Sequence, residues 1–383
     1  MKFEFTTAPR IMFAPGVSKQ IPAITSEFGA RALIITGRDP ARVGSTVKAL
    51  EDVGVACQIF SVDGEPTLQL VREGARAARA NYDLVIGFGG GSAIDAAKAI
   101  AALATNSGEP LDYLEVIGDA RPLENASLPF LAVPTTAGTG AEVTRNAVLG
   151  SPEHKAKASL RSPLMLAKVA LIDPDLTLDL PREVTVNTGL DALTQVIEPY
   201  VSTRANAFTD AFCLEGMKRI AASLTRAVRN GQDRPARESM SFASLLGGLA
   251  LANAGLGVVH GFAAPLGGML NAPHGGLCAA VLPHAITVNI RALRERAAGG
   301  ESLERYREAA RTLTANVNAE AEDCARYVVH FCQQLSVPSL RTYGLKPEQI
   351  PELVEKVGKA SSTKSNPVQL TAEELTEIAE RAQ

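Results

Sequence analysis

A chain of 383 residues, 46% hydrophobic and 21% charged, is long enough for two cores and too apolar for a disordered polypeptide. Its formal net charge of −3 leaves no electrostatic case for nucleic acid or an anionic membrane as partner. The five cysteines form no Cys-x-x-Cys pair and read as reduced thiols; no signal-like apolar segment opens the chain and no apolar run reaches about 18 residues, so a cytoplasmic protein is expected.

In chain order, residues 3–13 (FEFTTAPRIMF) mix aromatic and β-branched residues around Ala8-Pro9 and stop at Pro15-Gly16, which predicts a hairpin or extended arm at a sheet edge. Residues 32–36 predict a short buried strand. A helix to about Val53 and a strand over 57–62 complete a βαβ unit, and 66–81 reads as a basic amphipathic helix. A third strand, 83–88, is broken by Gly89-Gly90-Gly91-Ser92 before a helix over 93–104. Such a turn lets phosphate approach backbone amides at a helix amino end, although an ordinary tight turn between strand and helix looks the same. A strand over 128–133 leads into Pro134-Thr135-Thr136-Ala137-Gly138-Thr139-Gly140-Ala141-Glu142, whose hydroxyls suit phosphate, ribose or amide contacts.

Past residues 171–174 the pattern changes to long alanine- and leucine-rich helical periods. The boundary is placed at Leu180-Pro181, giving an α/β domain over 1–181 and an all-helical domain over 182–383. The tail from 349 predicts two helices, the second capped by Thr371. Within the helical half, Asp191 and Gln195 are four apart and stack on one helix face. His260 and His274 would lie about 21 Å apart on one unbroken helix, so the chain must reverse between them, and Pro273 with Gly267, Gly268 and Asn271 supplies the breaker and turn residues. One carboxylate and two imidazoles then converge as a divalent metal site, with Gln195 as a fourth group.

These motifs together resemble the iron-containing (group III) alcohol dehydrogenases over nearly the whole chain. Gly89 to Ser92 with Asp95 and Lys98 match that family's GGGSxxDxxK run, residues 134–142 match Pro-Thr-Thr-x-Gly-Thr-Gly-x-Glu, and Asp191, Val259-His260-Gly261 and Pro273-His274-Gly275 match its metal-binding pattern. Two positions depart: Gln195 stands where the family has a histidine ligand, and Ala264 where many members carry a further histidine. The resemblance implies a Rossmann-like parallel sheet with a helical domain, the architecture shared with dehydroquinate synthases. It implies NAD(P)-dependent hydride transfer between a small alcohol and its aldehyde or ketone. It further implies Fe²⁺ or Zn²⁺ held by Asp191, Gln195, His260 and His274, with His260, Asp191 and Lys157 catalytic. Gly89, Gly90, Gly91, Ser92, Asp95, Thr135, Thr136 and Thr139 would hold the cofactor, and Lys157, with Lys155 as rival, would reach the nicotinamide ribose. Lys98 is read as capping the helix face. The N-terminal arm would pair with its copy in a homodimer.

Cofactor choice is read at the end of the strand over 32–36, where an acid usually accepts the adenosine ribose hydroxyls and repels a 2′-phosphate. Here Gly37 is followed by Arg38, which favours NADP(H); Asp39 keeps NAD(H) open. For the substrate, Arg145 or Arg161 are candidates to meet a carboxylate. Two alternatives remain open: a metal-free reductase of an acidic carbonyl compound, resembling maleylacetate reductases, in which His260, His274 or Lys157 donates the proton, and a hydroxyacid-oxoacid transhydrogenase.

Overall fold

The computed structural model describes residues 3–154, 156–270, 272–297 and 299–383. The chain forms two compact units. One comprises Thr6–Thr136 and Gly140–Asp179; the other comprises Met1–Phe5, Ala137–Thr139 and Leu180–Gln383.

The α/β unit contains the strands β1 (Ile11–Phe13), β2 (Arg31–Thr36), β3 (Ala56–Ser61), β4 (Leu84–Gly89), β5 (Phe130–Pro134), β6 (Asn146–Ser151), β7 (Ala156–Arg161) and β8 (Val169–Ile172). Its helices are α1 (Ile21–Thr25), α2 (Gly44–Glu51), α3 (Leu68–Asn81) and α4 (Gly91–Thr105). Six strands form a sheet in the order β1-β8-β5-β4-β2-β3, with every neighbouring pair parallel. β4, β5 and β8 are buried along their whole length, and β2 after its exposed first residue Arg31, as strands covered on both faces must be. From β2 the chain proceeds to β3 on one side, and the later strands build outward from β4 on the other. The order therefore reverses between β2 and β4, the kind of crevice where open α/β sheets bind ligands at strand carboxyl ends. Register aligns three of those ends, Thr36 opposite Phe88 and Gly89 opposite Pro134. β6 and β7 form a separate antiparallel pair.

The N-terminal arm forms no hairpin among the described residues. Only Ile11–Phe13 is strand, paired in parallel with β8 at the sheet edge, and Pro9 has no amide to give a ladder. That leaves the other expected form, an extended arm at the sheet edge; the structure departs from expectation at Lys98. The helix α4 is apolar on every side, so Lys98 is not a solvated cap but is fully buried, its Nζ bonded to Thr144 Oγ1 at 2.9 Å, to the Asn146 carbonyl, and paired with Asp95 at 2.9 Å.

The helical unit contains α5 (Arg182–Val201), α6 (Ala207–Arg229), α7 (Arg234–Ala254), α8 (Val258–Met269), α9 (His274–Arg296), α10 (Glu301–Thr314), α11 (Ala321–Gln334), α12 (Ile350–Lys359) and α13 (Ala372–Ala382). α5 is buried along almost all of Thr185 to Val201 because α6, α7 and α9 pack around it, so its polar residues lie inside the core. α9 is long and apolar enough to cross a bilayer, but 83% of its most apolar window is buried within the fold, which marks it as a core helix. Thr371 caps α13 with Glu374 in a reciprocal capping box.

Candidate metal centre and dinucleotide turn

α5, α8 and α9 each bring part of one buried cluster. Asp191 and Gln195 lie one turn apart on α5, His260 lies in the first turn of α8, and His274 opens α9. The reversal between α8 and α9 takes the place of the single helix that would have kept the histidines apart; Asn271 falls outside the described residues. Close docking of α9 on α5 requires Gly275, since a Cβ there would sit 2.1 Å from the Asn187 carbonyl oxygen.

Within the cluster, His260 Nε2 is 3.6 Å and His274 Nε2 3.8 Å from Asp191 Oδ1, too long for hydrogen bonds. Cys278, one turn along α9, places Sγ 3.7 Å from His274 Nε2, and one ligand atom from each of Asp191, His260, His274 and Cys278 lies within 4.8 Å of the others. Gln195 Nε2 donates to Asp191 Oδ2 at 3.0 Å, leaving Oδ1 to face the imidazoles. Asp191 Oδ1, Gln195 Oε1 and His260 Nε2 are buried without a hydrogen-bond partner. An orphaned carboxylate oxygen and an orphaned imidazole nitrogen at this spacing fit a divalent cation, which would satisfy both.

The other ring nitrogen of His260 is held from behind. Nδ1 donates to Glu198 Oε2 at 2.6 Å, and Glu198 Oε1 accepts from the Val259 amide at 2.6 Å, capping α8. Burial alone would lower the imidazole pKa. The Asp191 carboxylate close to Nε2, together with the hydrogen bond and charge of Glu198, outweighs it, pushing His260 up to about 9. For Asp191, burial is outweighed by both histidines and the Gln195 amide, which hold its carboxyl below the usual range. Burial, then the Asp191 and Glu198 charges, push the Cys278 thiol up.

In the α/β unit, the glycine run spans the end of β4 and the start of α4. Gly89 ends the strand, Gly90 is the N-cap and offers no side chain to the helix, and Gly91 and Ser92 begin it. The first amides of α4 are thus left for an anion. A Cβ on Gly89 would lie 2.7 Å from Ala93 Cβ and 3.6 Å from the Gly37 amide nitrogen, one on Gly90 would lie 3.3 Å from Thr136 Cγ2, and the Thr135 amide donates to the Gly89 carbonyl at 2.9 Å. Gly37, Gly89, Gly90, Thr135 and Thr136 therefore meet at the crevice between β2 and β4.

The sequence pattern of iron-containing alcohol dehydrogenases matches residues 8–174, and that of the Fe-containing alcohol dehydrogenase family, C-terminal, matches 185–383. The chain belongs to the iron-containing alcohol dehydrogenase family. Alcohol dehydrogenase 4 of Saccharomyces cerevisiae is 36% identical over 361 residues, covering 92% of this chain and 91% of the relative. A solved 1,3-propanediol oxidoreductase shares 32% identity at a TM-score of 0.92, covering 100% of both chains. A sulfoacetaldehyde reductase from Bifidobacterium kashiwanohense, solved with NAD⁺, shares 27% at 0.86, covering 99% and 98%. As an iron-containing alcohol dehydrogenase, the protein is an NAD(P)-dependent oxidoreductase interconverting alcohols with aldehydes or ketones, in a family that uses a divalent metal.

Other expected site residues of this dehydrogenase have structural partners. Asp95 accepts from the Val148 amide at 2.9 Å and pairs with Lys98, so both of its oxygens are engaged by the protein itself. Lys157, on β7, lies 3.2 Å from Glu65 Oε1, while its rival Lys155 falls outside the described residues. Thr139 belongs to the short stretch, Ala137–Thr139, that clusters with the helical unit, where a Cβ on neighbouring Gly138 would meet Thr188 at 2.8 Å. Arg38 is exposed and paired with Asp63 at 2.7 Å, and Asp39 Oδ1 accepts from the Ala41 amide at 3.0 Å. Arg161 pairs with Glu115 at 3.1 Å. Glu198 and Cys278 are the two residues of the cluster to which residue-by-residue reading of the sequence assigns no role. Their only signal is spacing: Glu198 seven after Asp191, Cys278 four after His274.

Proposed function

We propose that the chain is a metal-assisted, NADP(H)-preferring dehydrogenase or reductase of a small alcohol/aldehyde pair, working as a homodimer. The observation that carries the metal is the pair of buried, unpartnered atoms Asp191 Oδ1 and His260 Nε2, 3.6 Å apart with His274 beside them. Asp191, His260 and His274 would hold the ion, and when bound it supplies a Lewis acid that stabilises alkoxide character as hydride passes to or from nicotinamide. The protein's own part is positioning. Gln195 fixes the Asp191 carboxylate, and Glu198 holds the Nδ1 proton of His260 so that Nε2 faces the site.

NADP(H) is favoured because no acid stands at Gly37 and Asp39 is occupied in capping its own turn. Arg38 has only an exposed partner, Asp63, to exchange for a 2′-phosphate. Lys157 would exchange Glu65 for a ribose hydroxyl. The homodimer reading rests on β1, which lies at the edge of the sheet. Five free cysteines, four of them buried, suit the reducing cytoplasm.

One observation favours the metal-free reading, namely the amide of Gln195 in place of a ligand imidazole. In that version the His260 imidazolium, with its pKa near 9, is the proton donor. Consumption of NADPH with a panel of small aldehydes, before and after chelation and after return of Zn²⁺ or Fe²⁺, separates the two. We expect loss on chelation and recovery on return. Turnover surviving complete metal removal selects the metal-free reading, a higher kcat/KM with NADH overturns the cofactor assignment, and a monomer in sedimentation rejects the dimer.

A further inference from the structure

We infer that Cys278 supplies the fourth donor of the metal centre, taking the place of the imidazole missing at Gln195, so that the ion is held by Asp191, His260, His274 and Cys278. The inference rests on the metal reading above and specifies its ligand set.

Cys278 is fully buried on α9, one turn beyond His274 and on the same face. With bonds of about 2.0 Å to nitrogen or oxygen and about 2.3 Å to sulfur, donors around a tetrahedral ion lie roughly 3.3–3.6 Å apart. The separations are 3.6 Å for His260 to Asp191, 3.8 Å for His274 to Asp191 and 3.7 Å for Cys278 to His274, so these pairs need contract by only a few tenths of an ångström, and all four donors lie within 4.8 Å of one another. An ordinary buried thiol is the common fate of a cysteine. What argues otherwise here is that the thiol stands beside two buried atoms left without partners, Asp191 Oδ1 and His260 Nε2, and completes a four-donor set with them.

Gln195 Oε1 is also buried without a partner, but a neutral amide oxygen is a weaker donor than a thiolate, and Nε2 is bonded to Asp191 Oδ2. Turning the amide over would set its oxygen against the carboxylate. It acts as a positioning residue, fixing which carboxylate oxygen faces the ion. The exchange also alters the charge and softness of the site. Carboxylate and thiolate together neutralise a dication in a buried setting, and a thiolate shifts preference from Fe²⁺ toward Zn²⁺.

The full-length protein, stripped of metal and titrated with Co²⁺ under anaerobic conditions, tests this without depending on turnover. Cys278 is the only one of the five cysteines in the cluster among the described residues, so a near-ultraviolet thiolate-to-cobalt charge-transfer band at one equivalent reports that residue even if no variant folds. We expect the band in the wild type, its loss in Cys278→Ser, and zinc affinity at least about tenfold weaker in that variant, no less than an outer-shell partner typically contributes. Binding of one cobalt without the band, or a band and zinc affinity unaltered in Cys278→Ser, overturns the Cys278 assignment while leaving the metal reading intact. Failure to bind cobalt or zinc at all overturns both.

Discussion

At the scale of single residues, the site depends on which ring nitrogen of His260 carries a proton. Glu198 is acceptor-only and so keeps a proton on Nδ1, which makes Nε2 the nitrogen that gives up its proton to a metal. Glu198→Gln keeps an oxygen for the Val259 amide but presents N–H groups to Nδ1, which favours the tautomer protonated at Nε2. We expect zinc affinity to fall roughly 10–100-fold and the His260 pKa of the metal-free protein to drop from near 9, read by NMR titration. Unchanged affinity would show that Glu198 merely caps α8. A second residue-scale prediction concerns Gly37, where a Cβ meets nothing within 4 Å, so that Gly37→Asp is accommodated. A carboxylate there accepts ribose hydroxyls and repels a 2′-phosphate. The ratio of kcat/KM for NADPH over NADH should fall roughly 10–100-fold, the worth of one hydrogen bond to a charged group; an unmoved ratio would place the adenosine ribose elsewhere.

Among the elements, the decisive contact is α9 against α5, and it turns on one glycine. Gly275→Ala aims its Cβ at a backbone carbonyl, that of Asn187, which cannot rotate away, so α9 must retreat and carry His274 and Cys278 with it. Overpacking of this kind destabilises by about 1–3 kcal/mol, and bound zinc should fall in parallel. Gly358→Ala, on α12 with nothing within 4 Å, is the control and should be neutral or slightly stabilising. Equal urea midpoints and zinc contents for wild type and Gly275→Ala would remove the docking argument. This contact also marks the limit of what the sequence discloses. Helices of the second half are visible as periodicity, α13 also by its Thr371 cap, and β2, β4 and β5 as short apolar runs, because those signals are local. The Pro-His-Gly run exposes His274, but that Cys278 and Glu198 join the cluster depends on how three helices pack, which spacing alone leaves undetermined. Lys98 defeats sequence reading for a related reason. The helix α4 is apolar all round, so it has no solvent face to carry a lysine, and the partners at Thr144 and Asn146 come from a segment more than forty residues away.

For the molecule as a whole, the dependence of stability on pH includes a contribution from a residue outside the metal cluster. Glu142 follows the left-handed Gly140 in the threonine- and glycine-rich loop and is 3% exposed. Burial raises its carboxyl pKa to about 7 against an ordinary 4.5, and its own backbone hydrogen bond and the Lys98 charge only partly counter this. Between those two values the folded chain holds a proton that the unfolded chain has released, so stability from this residue is full below pH 4.5 and is lost as pH rises through 7. The loss approaches about 3 kcal/mol at alkaline pH, since each tenfold difference in proton affinity between the folded and unfolded chains is worth about 1.4 kcal/mol. A neutral amide of the same shape has no proton to lose, so Glu142→Gln should lessen the fall in urea midpoint between mildly acidic and alkaline buffer. His260 loses its own contribution over a higher range, as pH climbs from its ordinary 6.5 through about 9 in the metal-free protein, but it does so in both chains and cancels in the comparison. If wild type and variant lose the same stability across that interval, Glu142 is ionised in the folded protein at neutral pH, and the loop around it must admit water or a cation to keep it so.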